Sequence, residues 1–312
     1  MTKEVTLSSK LNKKDNKFKK NQLIFIWGGL AIPIIAWIIF YWVVNVQSFV
    51  QAFQDPVTNG LSFVNFKEVW VSMFSSAERD SLAVAFINTV KYFGINIFIQ
   101  FPLQIIICYF LYKQIVGFKA FRYILYLPAI LPGVALAGLF KEFIATGGPL
   151  NAMGLPIPQN GFLGSPDTAT NTIIAYCIWT CPCTNMLLIC GAMTRIPVEV
   201  LEAGRLDGIG PFRELVSLIL PMIWPTLSTL LVLACCGFLN SSGPILLLAP
   251  DSYTLGTTTI NYWIFEKVYA NGTHMQGKYN LVSAAGLLLT AVALPVVLGL
   301  KKLLDLIPDV EY

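Results

Sequence analysis

The sequence predicts an all-α, polytopic membrane protein with six transmembrane helices. Three observations predict it: six apolar runs of spanning length, a scarcity of charge, and a bias of Lys and Arg toward alternate connecting segments. Of 312 residues, 55% are hydrophobic and only 12% charged, whereas an ordinary soluble domain carries roughly 25% charged residues. A soluble fold of this length could not hide so much apolar surface without large exposed patches, so lipid must solvate part of it.

The first apolar run, 23–46, follows a lysine-rich stretch, 1–22. It reaches the roughly 20 residues needed to span a bilayer. No small-residue cleavage site ends it, so it reads as a retained helix and not a signal peptide. The connection 47–80 contains Asp55-Pro56 and Asn59-Gly60 as turn signals. Within it, 63–74 alternates apolar and polar residues and predicts an amphipathic interfacial helix. The further spans are expected at 82–112, 121–143, 171–193, 222–248 and 281–300. The second carries Lys91, Asn96, Gln100 and Gln104, which makes it polar for a lipid-facing helix. The chain thus divides into a basic tail (1–22), a first helix with an external loop (23–81), a five-helix core (82–304) and a short tail (305–312).

Six spans put both termini on one side, and the positive-inside rule chooses that side. With the termini in the cytoplasm, the inner segments hold seven N-terminal lysines, Lys113, Lys119, Arg122, Arg195, Arg205, Arg213, Lys301 and Lys302. That is fifteen cations, against five in the outer segments (Lys67, Arg79, Lys141, Lys267 and Lys278). The expected location is the plasma membrane, with residues 194–221 on its cytoplasmic face.

Enzymatic chemistry finds little material here. The seven cysteines all lie in apolar runs, where a free thiol behaves as a small hydrophobe. The single histidine, His274, stands in a polar loop without ligand partners. No catalytic group, metal site or cofactor is expected in this chain. A phosphate-cradling Gly-x-x-x-x-Gly-Lys-Ser/Thr loop is absent from the sequence, and no nucleic-acid partner is expected. A secondary transporter or channel for a small polar solute stays open as an alternative. It would need ionisable residues deep in the spans, where Lys91 is nearly alone.

The loop 195–221 is the most informative segment. It reads as helix, turn, helix: Pro197 suits a first helical position, Glu199 and Glu202 come early, where the helix dipole favours anions, and Gly208 can take the left-handed conformation that closes a helix. Pro211 then opens a second helix with Phe212, Leu215 and Ile219 on one face, and Pro221 marks the return to the membrane. A short helix that projects into the cytoplasm can dock into a groove on a partner.

This segment resembles the EAA loop of ABC importer permeases, in the carbohydrate-transporter form that also serves maltose and glycerol phosphate systems. Glu202, Ala203, Asp207, Gly208, Leu220 and Pro221 match that form, while Gly204 and Ile209 stand where it has alanine. Asn88-Thr89, Phe121-Arg122, Leu127-Pro128, Pro132, the run 162–166, Trp179 and Ile196-Pro197 are similar to further family positions. The region 238–260 departs, because no glycine triplet precedes its proline. The resemblance implies a type I ABC importer permease fold with a cytoplasmic coupling helix. It implies a second homologous permease, two ATPase subunits that carry ATP and Mg, and an extracytoplasmic sugar-binding protein. It marks Glu199, Glu202, Ala203, Gly204, Arg205, Asp207 and Gly208 as ATPase-coupling residues. Asn185, Asn240 and Ser241, polar groups in apolar spans, are candidates for the substrate path together with Trp179, although such groups equally serve helix-to-helix hydrogen bonding.

Overall fold

A computed structural model describes residues 22–74, 82–158, 160–181, 185–240, 244–249, 256–269 and 276–306. Among them, helices account for all the regular structure apart from one isolated antiparallel bridge, Gln54 to Leu61. Three helices are long and apolar enough to cross a membrane: α1 (Gln22–Ala52), α3 (Leu82–Tyr112) and the greater part of the last helix, Tyr279–Leu304. Two bent pairs would raise the number to five if each forms one span.

The first half of α1 is exposed almost throughout, as befits a helix that is apolar on every side. Its C-terminal part, Val44–Ala52, packs against the last helix. The turn after it uses Asp55, whose carboxylate accepts the backbone N–H of Val57 and Thr58. These bonds to the charged form hold the Asp55 pKa below its ordinary value. A helix is present over the segment where an amphipathic one is expected, as α2 (Val64–Phe74). Its buried Asn65 donates to the carbonyls of Ala52 and Gln54, at 3.0 and 2.9 Å, and so ties α2 to the end of α1.

Helix α3 contains a wide turn at Asn96–Gln100, just before Pro102. Proline lacks the N–H that would close the preceding turn, so the ladder loosens there and carbonyls are freed. The expected continuous span 121–143 is instead two helices, α4 (Phe118–Ile130) and α5 (Gly133–Ile144), and the chain bends by 108° between Phe118–Ile130 and Gly133–Ala152. The cause is Pro132, which drives Leu131 into extended backbone (ψ 142°).

The expected span 171–193 likewise divides, into α6 (Pro166–Thr180) and α7 (Met186–Met193). After the charged loop, whose helices are α8 (Val198–Leu206) and α9 (Pro211–Met222), α10 (Trp224–Cys236) leaves at 77° to α9. The expected span 222–248 stops early. Beyond Gly237 the chain makes a short turn at Phe238–Asn240 and another at Ile245–Leu248. The loop before the last helix also contains α11 (Ile260–Tyr269), with Ile260, Tyr262 and Trp263 buried, which its mixed sequence did not announce. Helix α12 (Gln276–Leu304) closes the fold.

The interior has three apolar clusters. One joins the C-terminal half of α3 to α7, α8, α9 and α10 through Phe101, Leu111, Ile189, Leu201, Ile219 and Leu227. A second joins the end of α1, α2, α11 and α12, with Ala284 and Ala285 as small contact residues that let backbones approach. A third gathers Leu136, Ile173, Tyr176, Ile245 and Tyr262. Asn88 and Thr89, the family-like pair, hold the segment 256–259. The Asn88 amide donates to the Gly256 and Thr258 carbonyls at 2.8 and 3.0 Å, and Thr89 Oγ1 accepts the Ile260 N–H at 3.0 Å.

Candidate functional site: a charged hairpin and a polar cavity

Two features carry functional groups. The first is the hairpin α8–α9. Pro197 occupies the N-cap position of α8, one place before the first helical residue. The helix ends in a six-residue closure: the Ile209 N–H donates to Gly204 O and the Gly208 N–H to Arg205 O, each at 3.0 Å. This Schellman pattern requires a left-handed residue at its turn, and Gly208 supplies it with φ +69°.

The inner face of α8 presents Leu201 and Gly204, both buried. A Cβ at Gly204 would lie 2.7 Å from Leu218 Cδ1, so glycine in place of the family's alanine lets α8 sit close on α9. The outer face presents Glu199, Glu202, Ala203, Arg205 and Asp207, all exposed, beside the apolar Val198 (61% exposed) and Leu206 (89% exposed). On α9 the expected common face divides: Leu215 and Ile219 are buried, whereas Phe212 is 79% exposed and joins the outer surface.

The hairpin is anchored to α3. Lys113 at the end of α3 and Glu214 in the first turn of α9 form an ion pair with Nζ–Oε1 at 2.5 Å, their side chains 22% and 7% exposed. Tyr109 Oη donates to Pro211 O at 3.1 Å.

The second feature is a cavity of about 390 Å³ among α3, α6, α7 and α10. Its amide lining is Asn96, Gln100 and Asn185, and its apolar lining includes Phe93, Leu188, Leu230 and Phe238. Lysine, arginine and acidic residues are missing from its described lining. The amides form two pairs: Asn96 Nδ2 donates to Gln100 Oε1 at 2.9 Å, and Asn185 Nδ2 to Gln104 Oε1 at 3.1 Å. Gln104 Nε2 in turn donates to Cys181 O at 3.0 Å.

The structure therefore places Asn185 on the cavity while engaging it in a helix-to-helix bond. Asn240 ends the turn that begins at Phe238, a lining residue; Ser241 lies outside the described residues. Trp179 lines a different, apolar cavity of about 540 Å³, with Leu139, Phe140 and Phe143, and stacks on Phe140 at 5.9 Å. In sequence, Asn96, Gln100 and Gln104 mark α3 as unusually polar for a lipid-facing helix but name no path. Their spacing of four, which gathers them on one side of α3, was the available signal.

The described chain is thus helical and apolar, with an amide-lined cavity and a charged hairpin. No family model matches the chain. The multiple sugar-binding transport system permease protein MsmF of Streptococcus mutans is 23% identical over 283 residues, covering 90% of this chain and 93% of MsmF. The maltose/maltodextrin transport system permease protein MalF of Escherichia coli K12 is 28% identical over 210 residues, which is 65% of this chain and 40% of MalF. In fold, the chain is similar to a bacterial ABC transporter involved in the import of the acidic polysaccharide alginate (TM-score 0.77, 22% identity, 94% of this chain and 100% of the other). It is also similar to a bacterial alginate ABC transporter crystallised in complex with an alginate pentasaccharide-bound periplasmic protein (TM-score 0.74, 23% identity, 91% and 95%). This protein thus resembles the permease subunits of sugar ABC transport systems over nearly its whole length.

Proposed function

We propose that this chain is one permease subunit of an ATP-driven importer of carbohydrate, of oligosaccharide size. It forms the translocation path with a second, homologous permease. Two ATPase subunits bind ATP and Mg and dock on the outer face of α8, through Glu199, Glu202, Ala203, Arg205 and Asp207, while Gly204 and Gly208 shape the helix. A sugar-binding protein delivers cargo from outside. The chain crosses the plasma membrane six times with both termini in the cytoplasm, as the distribution of Lys and Arg indicates.

The observation that carries this reading is the hairpin. Its inner face is buried in the protein while its outer face combines charge with exposed Val198, Leu206 and Phe212. Such a rigid element passes motion across a protein interface without chemistry of its own. ATP-driven closure of the ATPases moves α8 and rocks the spans between inward-facing and outward-facing states. Carboxamides at the cavity suit sugar hydroxyls, because each offers both a donor and an acceptor.

The test is ATP hydrolysis and sugar uptake by the purified complex in proteoliposomes, with and without candidate sugars and binding protein. Sugar-stimulated hydrolysis that accompanies uptake is expected. Uptake driven by an ion gradient in the absence of ATP would instead establish a secondary transporter.

A further inference from the structure

The docking face of α8 and the polar cavity are separate features of the chain, and a transporter must connect them. The geometry points to one connection. Lys113 and Glu214 form a nearly buried ion pair between the cytoplasmic end of α3 and the start of α9. It is the only ion pair among the described residues. Both groups also sit where helix dipoles favour them: the ammonium at the C-terminus of α3, the carboxylate in the first turn of α9. The Tyr109-to-Pro211 hydrogen bond, one helical turn back along α3, is a second tie between the same two elements.

Upstream on α3 lie Gln104, Gln100 and Asn96. Gln100 and Asn96 line the cavity, and Gln104 holds Asn185 of the facing helix. From Lys113 to Gln100 is about 20 Å along a helix. We propose that the Lys113–Glu214 pair, supported by Tyr109, is the clamp through which hairpin motion reaches α3 and the amides of the cavity. The proposal rests on the reading of α8 as the coupling helix, and it adds a positioning role for three residues that are not among the positions matching the family's loop. Apolar packing between the hairpin and α3 resists separation, but surfaces of this kind can slide. A charge pair whose carboxylate is buried fixes register, because a shift of α9 without α3 would leave that carboxylate unpaired.

The experiment uses the intact complex in proteoliposomes and measures sugar transported per ATP hydrolysed, together with ATPase content. Glu214→Gln and Lys113→Gln are expected to retain the ATPase. Their transport-to-hydrolysis ratio should fall about two- to thirty-fold, the range for breaking one element of a coupling network. The exchange Lys113→Glu with Glu214→Lys should recover part of the loss, although it opposes the helix dipoles. Tyr109→Phe buries no charge and should fold normally; its ratio should fall less, and its effect should not add independently to that of Glu214→Gln. Tyr109→Phe and Glu214→Gln with wild-type ratios would overturn the clamp. So would loss of the ATPase in equal measure to loss of transport, which would mark a purely structural contact. If the wild-type complex itself shows no sugar-stimulated hydrolysis, the failure lies with the proposed function and not with the clamp.

Discussion

A methyl group added at Gly208 would enter open space, since nothing lies within 4 Å of its Cβ position. Any cost of substitution inside this chain therefore comes from the backbone, where φ is +69°. A left-handed conformation costs an L-residue roughly 1–2 kcal/mol, which lowers the ratio of closed to open hairpin by a factor of about 5–30. The order of substitutions follows. Gly208→Asn should be mildest, because asparagine tolerates this region. Gly208→Ala should be intermediate, and Gly208→Val worst, because β-branching adds a further restriction. Co-purification of the ATPase and sugar-stimulated hydrolysis in proteoliposomes read the result, with the amount of permease in the membrane as the control. Gly208→Val is expected to remain in the membrane but to release or uncouple the ATPase. If asparagine proves as damaging as valine, then crowding at the partner's surface is responsible and the backbone argument is wrong. If valine behaves as wild type, the hairpin is not the coupling element.

Other consequences can be measured separately. Glu202→Lys, on the exposed face of α8, should weaken ATPase retention less than Gly208→Val in the same co-purification. Asn185→Ala should reduce sugar uptake while the complex still assembles, because it removes an amide from the cavity and frees Gln104; uptake at the wild-type rate would make Asn185 a packing group. Asn88→Ala strands two backbone carbonyls and should cost about 1–3 kcal/mol, visible as a lower unfolding temperature in detergent and faster proteolysis near residues 256–259. Cysteines placed at Lys14 or Arg205, in a background without native cysteines, should resist labelling by impermeant reagents in intact cells; external labelling of either would invert the topology.

The apolar runs were legible because lipid imposes length and composition, which can be read one residue at a time. Their breaks were less so. Pro128 and Pro132 both lie in the expected third span, yet only Leu131 before Pro132 turns the chain through the bend, whereas Pro128 is accommodated inside α4. The distinction depends on whether neighbouring helices re-satisfy the freed carbonyls, which no local pattern records. Gly208 was legible because a turn type demands it. Gly204 shows locally only as a poor helix former, and Leu218, whose methyl would meet its Cβ, lies in the next helix. Lys113 and Glu214 are each unremarkable in sequence, and only the packing of α3 on α9 brings them together. Helix α11 escaped notice because its charged and aromatic residues resemble a polar connection, although Tyr262 and Trp263 are buried.

The isolation of the first part of α1 bears on how this chain can vary. Its side chains from Leu23 to Trp37 are almost all exposed, and the helix is tied to the remainder through Val44–Ala52 and the Asn65 bonds. Within this chain, the packing of the first half of α1 asks for hydropathy and length and little else. Homologues should drift freely there while keeping its hydropathy, and a foreign membrane segment grafted in its place should leave the remaining helices undisturbed.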